Sequence, residues 1–300
     1  MKKILITGGT GLVGSRLTAL LLGKGYEVRH LSRRENPTAD VPTYRWDVGA
    51  KYIDPKALEG VDAIIHLAGA GIADARWTKK RKATIMSSRV DSTALLYKYL
   101  SEKSNQVKTF VAASAIGFYG DSGDEMVDEN SAASDCFLGR VSQAWEAQSL
   151  KMVDLDKRTT VLRIGIVLAE EGGALPKMAM PIRFGVNSYF GDGQQLYSWI
   201  HIDDLCQMFV FALENEAIDG IYNAVTDVAT NKDLVQKLAK AMDKKALLVP
   251  TPAAVLRLGM GEMSAIVLNS NRTSSAKIRT AGFAFRYEGL EEALGEIFFG

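Results

Sequence analysis

The stretch 1–14 reads MKKILITGGTGLVG, an apolar run that ends in closely spaced glycines. The next residues, 15–22, read SRLTALLL and carry apolar side chains at helical spacing. This order predicts a short buried strand that passes through a glycine turn into a helix. We expect Gly8 to permit the tight turn, Gly11 to let a ligand approach the backbone, and Gly14 to let the helix lie close to the strand.

A turn of this kind is typical of sites that bind the pyrophosphate of a dinucleotide. The helix N-terminus presents unpaired N–H groups and the positive end of its dipole to the anion. Such a turn needs glycine for structural reasons too, but here the flanking strand and helix are both present. We therefore predict a dinucleotide site formed by Thr7, Gly8, Gly9, Thr10, Gly11, Leu12, Val13 and Gly14.

The end of the predicted second strand, 26–32, indicates which dinucleotide binds. An NAD-specific site usually has an acidic residue at this point to bind the ribose 2′-hydroxyl. This chain has Ser32, Arg33 and Arg34 there, and Glu35 comes only after them. Planar guanidinium groups bind a 2′-phosphate bidentately. The alternative is that both arginines are solvated on a loop. We predict NADP (NADPH) as the cofactor and regard NAD as the less favoured one.

Composition and charge indicate a soluble enzyme. The chain has 300 residues, 47% of them hydrophobic, with 36 basic and 35 acidic side chains, which is enough for a large core and gives no reason to expect a nucleic acid or a membrane as partner. Cys136 and Cys206 fit no metal or redox spacing, and we expect two buried thiols and no metal site. With no signal-peptide pattern and no membrane-spanning run, we expect a cytoplasmic location. The oligomeric state is left open.

Predicted strands and helices alternate up to about residue 165, and this alternation predicts an α/β fold. The strands are continuously apolar, as in a parallel sheet that is covered on both faces. We predict a Rossmann-type doubly wound parallel sheet with a smaller C-terminal substrate lobe. The predicted Rossmann domain takes in residues 1–165 and about 203–245. The lobe takes in 166–202 and 246–300.

Motifs along nearly the whole chain match a known superfamily. They are TGGTGLVG (7–14), Trp46-Asp47, HLAGAG (66–71), RWT (76–78), SRV (88–90), SAIGFYG (114–120), Trp145-Glu146, Gly193-Gln194 and SWIHIDD (198–204). With them the chain resembles the short-chain dehydrogenase/reductase superfamily in its extended, nucleoside-sugar-epimerase-like branch. It is most similar to the atypical "epimerase family" proteins that carry a characteristic C-terminal extension.

The resemblance implies roles for further residues. Asp47 matches the acid that accepts a hydrogen bond from the adenine amino group, although it could instead cap the next helix. The segment Leu67-Ala68-Gly69 matches the strand end over which the cofactor ribose passes. Ser114 matches the serine that holds the substrate oxygen. Arg89 lies on a long predicted helix, where its charge could bind the cofactor phosphates or an anionic substrate.

The chain departs from the superfamily at the catalytic pair Tyr-x-x-x-Lys. The tyrosine of that pair transfers a proton at the reacting carbonyl, and the lysine lowers its pKa and holds the nicotinamide ribose. Aligned on Trp145-Glu146, this chain has Leu138 at the tyrosine position and Ser142 at the lysine position. Another group must supply the proton if the protein is a catalyst. Our candidate catalytic residues are Ser114, Tyr119, Arg140 and His201.

Two functions remain open on the sequence. The first is an NADP(H)-dependent oxidoreductase or epimerase that transfers a hydride to or from a small, sugar-like or anionic carbonyl or hydroxyl compound. The second is an NADP(H)-binding sensor or scaffold without turnover. The glycine loop serves both functions. The missing relay favours the second, and the retained serine favours the first.

Overall fold

The computed structural model describes residues 2–36 and 38–299, which form an α/β architecture with one large sheet. The strands in chain order are β1 (Lys3–Thr7), β2 (Glu27–Ser32), β3 (Thr43–Asp47), β4 (Tyr52–Ile53), β5 (Ala63–His66), β6 (Thr109–Ala115), β7 (Met126–Val127), β8 (Arg158–Ile164), β9 (Ile166–Leu168), β10 (Val186–Phe190), β11 (Leu196–His201), β12 (Gly220–Ala224), β13 (Asp227–Thr230), β14 (Leu247–Thr251) and β15 (Arg272–Thr273). The helices are α1 (Leu12–Gly23), α2 (Lys79–Glu102), α3 (Phe137–Leu150), α4 (Leu175–Arg183), α5 (Ile202–Glu214), α6 (Asn231–Ala241), α7 (Ala253–Met260), α8 (Ala265–Leu268), α9 (Ala276–Thr280) and α10 (Leu290–Phe299).

The large sheet has the strand order β12-β8-β6-β5-β1-β2-β3-β4. Every neighbouring pair is parallel except β3 and β4. From β1 the chain builds outward through β2 and β3, and then crosses to β5 and builds in the opposite direction. The predicted doubly wound parallel sheet is therefore confirmed, and its topological switch point lies between β1 and β5.

Both faces of the sheet are covered, as the continuously apolar strands predict. Along β1, Ile4 and Ile6 pack on one face, in a core shared with α1 and α5. Leu5 points to the other face and packs in a second core with Leu95 and Leu96 of α2. Since successive side chains of a strand alternate between faces, a strand buried on both faces has no polar position in its middle.

The smaller lobe has its own core around the buried Trp199 of β11, which is shared with α4, α6 and α10. This corrects the predicted boundary, because β13 pairs with β11 and α6 packs on α10 and β10. The later half of 203–245 thus belongs to the lobe. The predicted lobe included α9, but α9 packs on the large sheet, because Ile278 and Phe283 join the large-sheet core beside α5.

No helix within residues 2–36 and 38–299 is long and apolar enough to cross a membrane. The stretch 253–268 forms α7, a short 3-10 turn and α8. Its side chains are largely exposed: Leu258 is 82% accessible, and α7 contains no buried residue.

Candidate functional site

Strand register brings the predicted dinucleotide-binding segments to one edge of the sheet. Thr7, the last residue of β1, lies beside Leu31 of β2 and His66 of β5. Because the strands are parallel, the residues that follow each of these positions emerge at the same edge. The glycine loop therefore lies between the Ser32 end of β2 and the segment 67–69 after β5, at the switch point where such sheets bind ligands.

The glycine loop has the shape that its sequence predicts. Gly8 has a φ of +72°, a left-handed conformation that favours glycine. A Cβ on Gly14 would overlap the carbonyl oxygen of Gly8, so only glycine lets α1 approach the strand end. At Gly9 a Cβ would overlap the ring of His30. Gly11 is the N-cap of α1 and differs from these three, because its Cβ would meet only the Gly8 oxygen, at 3.3 Å.

The Thr7 hydroxyl forms its hydrogen bonds within the protein and not at the surface of the site. Its hydroxyl oxygen accepts hydrogen bonds from the backbone N–H groups of Leu67 and Ala68, both at 3.2 Å. With its acceptor sites taken, the hydroxyl donates its proton to Nδ1 of His66 at 2.7 Å. The opposite nitrogen, Nε2, then donates to the hydroxyl of Thr93 in α2 at 2.9 Å. This chain of hydrogen bonds fixes the segment after β5 relative to the glycine loop.

The hydrogen bonds of His66 require a neutral ring. His66 is completely buried, and burial, followed by repulsion from Arg89, lowers its pKa to about 3. Protonation of Nδ1 would turn an acceptor into a donor facing Thr7, whose oxygen already accepts two hydrogen bonds. The network is therefore stable only while His66 carries no charge.

This neutral histidine predicts an acid-sensitive fold. Below pH 6.5 the unfolded chain binds a proton at His66, whereas the folded protein binds it only at about pH 3. The free energy of unfolding therefore decreases as the pH is lowered from 6.5 to 3. At pH 5 this single group should remove about 2 kcal/mol of the free energy of unfolding. Urea unfolding of wild type and His66→Asn between pH 5 and 8 measures the effect. The variant should be less stable at pH 8 and should have a flatter pH dependence, and parallel curves would contradict the assignment.

The predicted nucleotide-specificity residues follow β2 and β3 at the same edge. Arg33 and Arg34 are exposed, and the backbone N–H of Arg34 lies 3.5 Å from the hydroxyl of Ser32. Asp47 ends β3, and its Oδ1 accepts a hydrogen bond from the backbone of Ala50 at 2.9 Å. Asp47 therefore closes a turn at 47–50 and does not cap the next helical turn, Pro55–Leu58, whose N-cap is Asp54. Its second oxygen lies 3.7 Å from Arg45.

A cleft of about 520 Å³ opens at the carboxyl ends of β6 and β8, between the sheet and the lobe. Its walls are Ala115 and Ile164 at the strand ends, one face of α3, and the segment around α8. The two positions that align with the superfamily's catalytic pair, Leu138 and Ser142, both line it. They are four residues apart, and therefore on one face of the helix.

Arg89 of α2 is the one cationic side chain on the cleft wall among the described residues. One guanidinium nitrogen, Nη1, donates to the carbonyls of Ala70 and Ile85 at 3.0 and 3.1 Å, and the guanidinium lies 5.1 Å from the ring of Trp145. It forms no ion pair with any acid in the described chain. Burial, and then repulsion from Arg81, lowers the pKa of Arg89 to about 10, so it is charged at neutral pH.

The structure gives Ser114 a different place from the one we expected. Ser114 is buried, and its hydroxyl donates to Oε1 of Glu146 at 2.6 Å instead of lining the cleft. Glu146 in turn accepts two hydrogen bonds from Arg163, from Nε at 2.9 Å and from Nη2 at 2.8 Å. The serine is thus committed to a buried ion pair behind the cleft wall, and its role at a substrate oxygen stays a prediction.

The other three catalytic candidates also lie away from the cleft wall. The Tyr119 hydroxyl donates to Asn223 at 2.7 Å and accepts from Arg163 at 2.9 Å, and burial raises its pKa to about 12. His201 is the N-cap of α5, where its Nδ1 accepts from the backbone of Asp203 at 3.1 Å. Arg140 is exposed and donates to the backbone carbonyl of Asp135.

Some groups at the site were not predicted from the sequence. The buried pair of Glu146 and Arg163 and the role of His66 depend on contacts between distant segments, although His66 does lie in a quoted motif. Cys136 corrects our expectation of two buried thiols, because it is exposed at the N-cap of α3 and lines the cleft, whereas Cys206 is buried. Within residues 2–36 and 38–299, no three His, Cys, Asp or Glu side chains are grouped so that they could hold a metal ion.

Comparison with known protein families gives two matches. Residues 4–224 match the NAD dependent epimerase/dehydratase family, and residues 251–297 match a domain of unknown function, DUF1731. The epimerase family protein YfhF of Bacillus subtilis strain 168 is 34% identical over 297 residues, which cover 98% of this chain and 97% of the relative. An epimerase family protein of Staphylococcus aureus strain NCTC 8325 is 33% identical over 299 residues, which cover 99% of this chain and 99% of the relative.

Two solved structures are similar over nearly the whole of this chain. The human epimerase family protein SDR39U1 (isoform 2), solved with NADPH, has a TM-score of 0.88 and 31% identity, and the match covers 98% of each chain. The nucleoside-diphosphate sugar epimerase from Corynebacterium glutamicum has a TM-score of 0.80 and 32% identity. That match covers 99% of this chain and 58% of the other.

Proposed function

Because the chain belongs to the NAD dependent epimerase/dehydratase family, we propose that it is an atypical member that binds NADPH and uses it to interconvert a carbonyl and a hydroxyl group. The similarity to a human protein solved with NADPH supports the choice of cofactor. The observation that carries the proposal is the open position at Gly11. Of the four glycines in the loop, Gly11 is the one where an added Cβ would have the most room, since its nearest neighbour would be the Gly8 oxygen at 3.3 Å.

The residues at the sheet edge fit a dinucleotide. The backbone N–H groups at the start of α1 would bind the pyrophosphate, with Thr10, Leu12 and Val13 forming the rest of the loop. Arg33 and Arg34 would bind the 2′-phosphate, and Asp47 the adenine amino group. Bound NADPH supplies a hydride. The segment Leu67-Ala68-Gly69, held in place by the hydrogen bonds of His66, would support the cofactor ribose.

Arg89 is the group best placed to replace the family's lysine. It lines the same cleft as Ser142, which stands at the lysine position, and its Nε and Nη2 have no hydrogen-bond partner among the described residues. A guanidinium fixed there would hold ribose hydroxyls or a developing negative charge, as the lysine does elsewhere. It would not deliver a proton at neutral pH, so proton transfer falls to Ser142 or to water in the cleft.

The alternative is an NADPH-binding sensor that does not turn over, and the leucine at the tyrosine position favours it. Loss of a positioned acid typically lowers rates about 10²- to 10⁴-fold. Following NADPH absorbance against a panel of ketones, with NADPH binding measured separately, distinguishes the two functions. Binding without oxidation of NADPH on any carbonyl compound would favour the sensor, and absence of binding would refute both.

The arginines after β2 predict a preference for the phosphorylated cofactor. Arg33→Ala is expected to weaken NADPH binding about tenfold, because it removes a charge-assisted contact with the 2′-phosphate. NADH binding should change little, since NADH carries a hydroxyl at that position. Titrations of both cofactors into both proteins measure the change. Arg140→Ala, on an exposed arginine of α3 outside the segments that follow β1, β2 and β3, is the matched control, and equal wild-type affinities for the two cofactors would refute the assignment.

A further inference from the structure

The wall of the cleft is mainly apolar. Its substrate side is formed by Ile116, Phe137, Leu138, Ile166, Leu196 and Ile266. The volume of about 520 Å³ lies within the range of small-molecule sites. Such a surface gains free energy by burying hydrocarbon and offers few hydrogen-bond partners to a ring of hydroxyl groups.

Most polar groups on the wall are already used by the protein. The Tyr197 hydroxyl donates to a backbone carbonyl at 2.6 Å, and the Ser198 hydroxyl donates to the carbonyl of Asn271 at 2.7 Å. Glu262 forms an ion pair with Lys82, whose ammonium group lies 5.1 Å from the centre of the Phe137 ring. A ligand with many polar groups would lose its hydrogen bonds to water here and find few replacements.

The charges on the cleft wall also argue against a highly polar ligand. A sugar nucleotide carries a diphosphate, and burying that charge requires cations or several N–H donors. Among the described residues, Arg89 is the cation on the wall, and we assign it to the cofactor ribose and the reacting oxygen. On this assignment, no second cation on the wall is left for a substrate diphosphate.

We propose, on the basis of the function given above, that the substrate is a small, largely apolar ketone or its alcohol, with an alkyl or aromatic body, and not a sugar nucleotide. The hydrocarbon part packs between the α3 face and α8, and the reacting oxygen points toward Ser142 and Arg89. The apolar wall supplies the affinity. Ser142 and Arg89 orient the reacting oxygen.

Titration of the protein with 2-decanone and with UDP-glucose, followed by tryptophan fluorescence, to which Trp77 and Trp145 in the cleft wall contribute, tests the proposal. Each titration is made on the free protein and on its NADP⁺ complex, after NADP⁺ binding has been measured. We expect saturable binding of 2-decanone and none of UDP-glucose at equal concentrations. Tighter binding of UDP-glucose, or no binding of 2-decanone to the NADP⁺ complex, would overturn the substrate class and leave the cofactor assignment intact.

A pair of variants on one segment sharpens the test. Ile266→Asn places an amide on the cleft wall and should weaken 2-decanone binding about tenfold, with NADP⁺ binding unchanged. Leu258→Asn, at an 82% exposed position outside the wall, is the control and should bind as wild type does. Equal binding by all three proteins would place the ketone elsewhere and overturn the proposal. If NADP⁺ itself fails to bind, the proposed function is lost, and the titrations of the free protein still decide the chemistry of the cleft.

Discussion

Replacement of Gly11 by valine is expected to lower NADPH affinity about a hundredfold or more, because the branched side chain takes the place of the pyrophosphate and removes about two charge-assisted backbone hydrogen bonds. The same change should cost the fold little. A Cβ at Gly11 meets only the Gly8 oxygen at 3.3 Å, and the backbone there is extended, with φ −81° and ψ 174°. Fluorescence titration with NADPH measures the binding, and thermal unfolding of the free protein measures the fold.

Gly14→Ala is the matched comparison at the other end of the loop. Its Cβ would overlap the backbone of Gly8 and Gly9, which cannot move away as a side chain can. We expect this variant to lose stability, by roughly 1–3 kcal/mol, as overpacked cores do. If Gly11→Val bound NADPH as wild type does, the cofactor would lie elsewhere. If both variants unfolded alike, the loop would have only a structural role.

The glycine loop could be predicted because its geometry is local. Turn, helix start and close packing each impose a requirement within eight residues, and the sequence Gly8 to Gly14 meets them. The sheet topology followed from the alternation of apolar strands and helices for the same reason. The boundary of the lobe could not be predicted in this way, because α6 is amphipathic and its pattern does not specify whether it packs on the large sheet or on α10.

The hydrogen-bond partner of a buried polar side chain could not be predicted in the same way. Ser114 was correctly placed at the end of β6, at the edge where ligands bind, but its hydroxyl points to Glu146, 32 residues later. The charge of Glu146 is balanced in turn by Arg163 on β8. These contacts depend on how α3 packs on the sheet, and a motif reports only which residues are present. The apolar wall of the cleft has the same origin, since it is assembled from segments between Ile72 and Asn271.

The buried ion pair makes Glu146→Ala the most destabilising substitution that we predict. Glu146 and Arg163 are both nearly inaccessible, and removal of the carboxylate leaves a guanidinium buried without an anion. Loss of one member of a buried pair typically costs about 3–5 kcal/mol of the free energy of unfolding. Ser114→Ala removes one hydrogen bond to the same carboxylate, which keeps both bonds from Arg163, and should cost about 1 kcal/mol.

The double variant Glu146→Leu/Arg163→Met separates charge burial from packing. With both charges gone and similar volumes retained, no charge is left unpaired in the core. The Ser114 hydroxyl loses its acceptor, and the Tyr119 hydroxyl still donates to Asn223. We therefore expect the double variant to be more stable than Glu146→Ala, because a buried pair often contributes little beyond an apolar replacement. Urea unfolding of wild type, Glu146→Ala, Ser114→Ala and the double variant measures these differences. If Ser114→Ala instead kept full stability and lost NADPH oxidation with its KM unchanged, the serine would act on the substrate and its placement behind the cleft wall would be refuted.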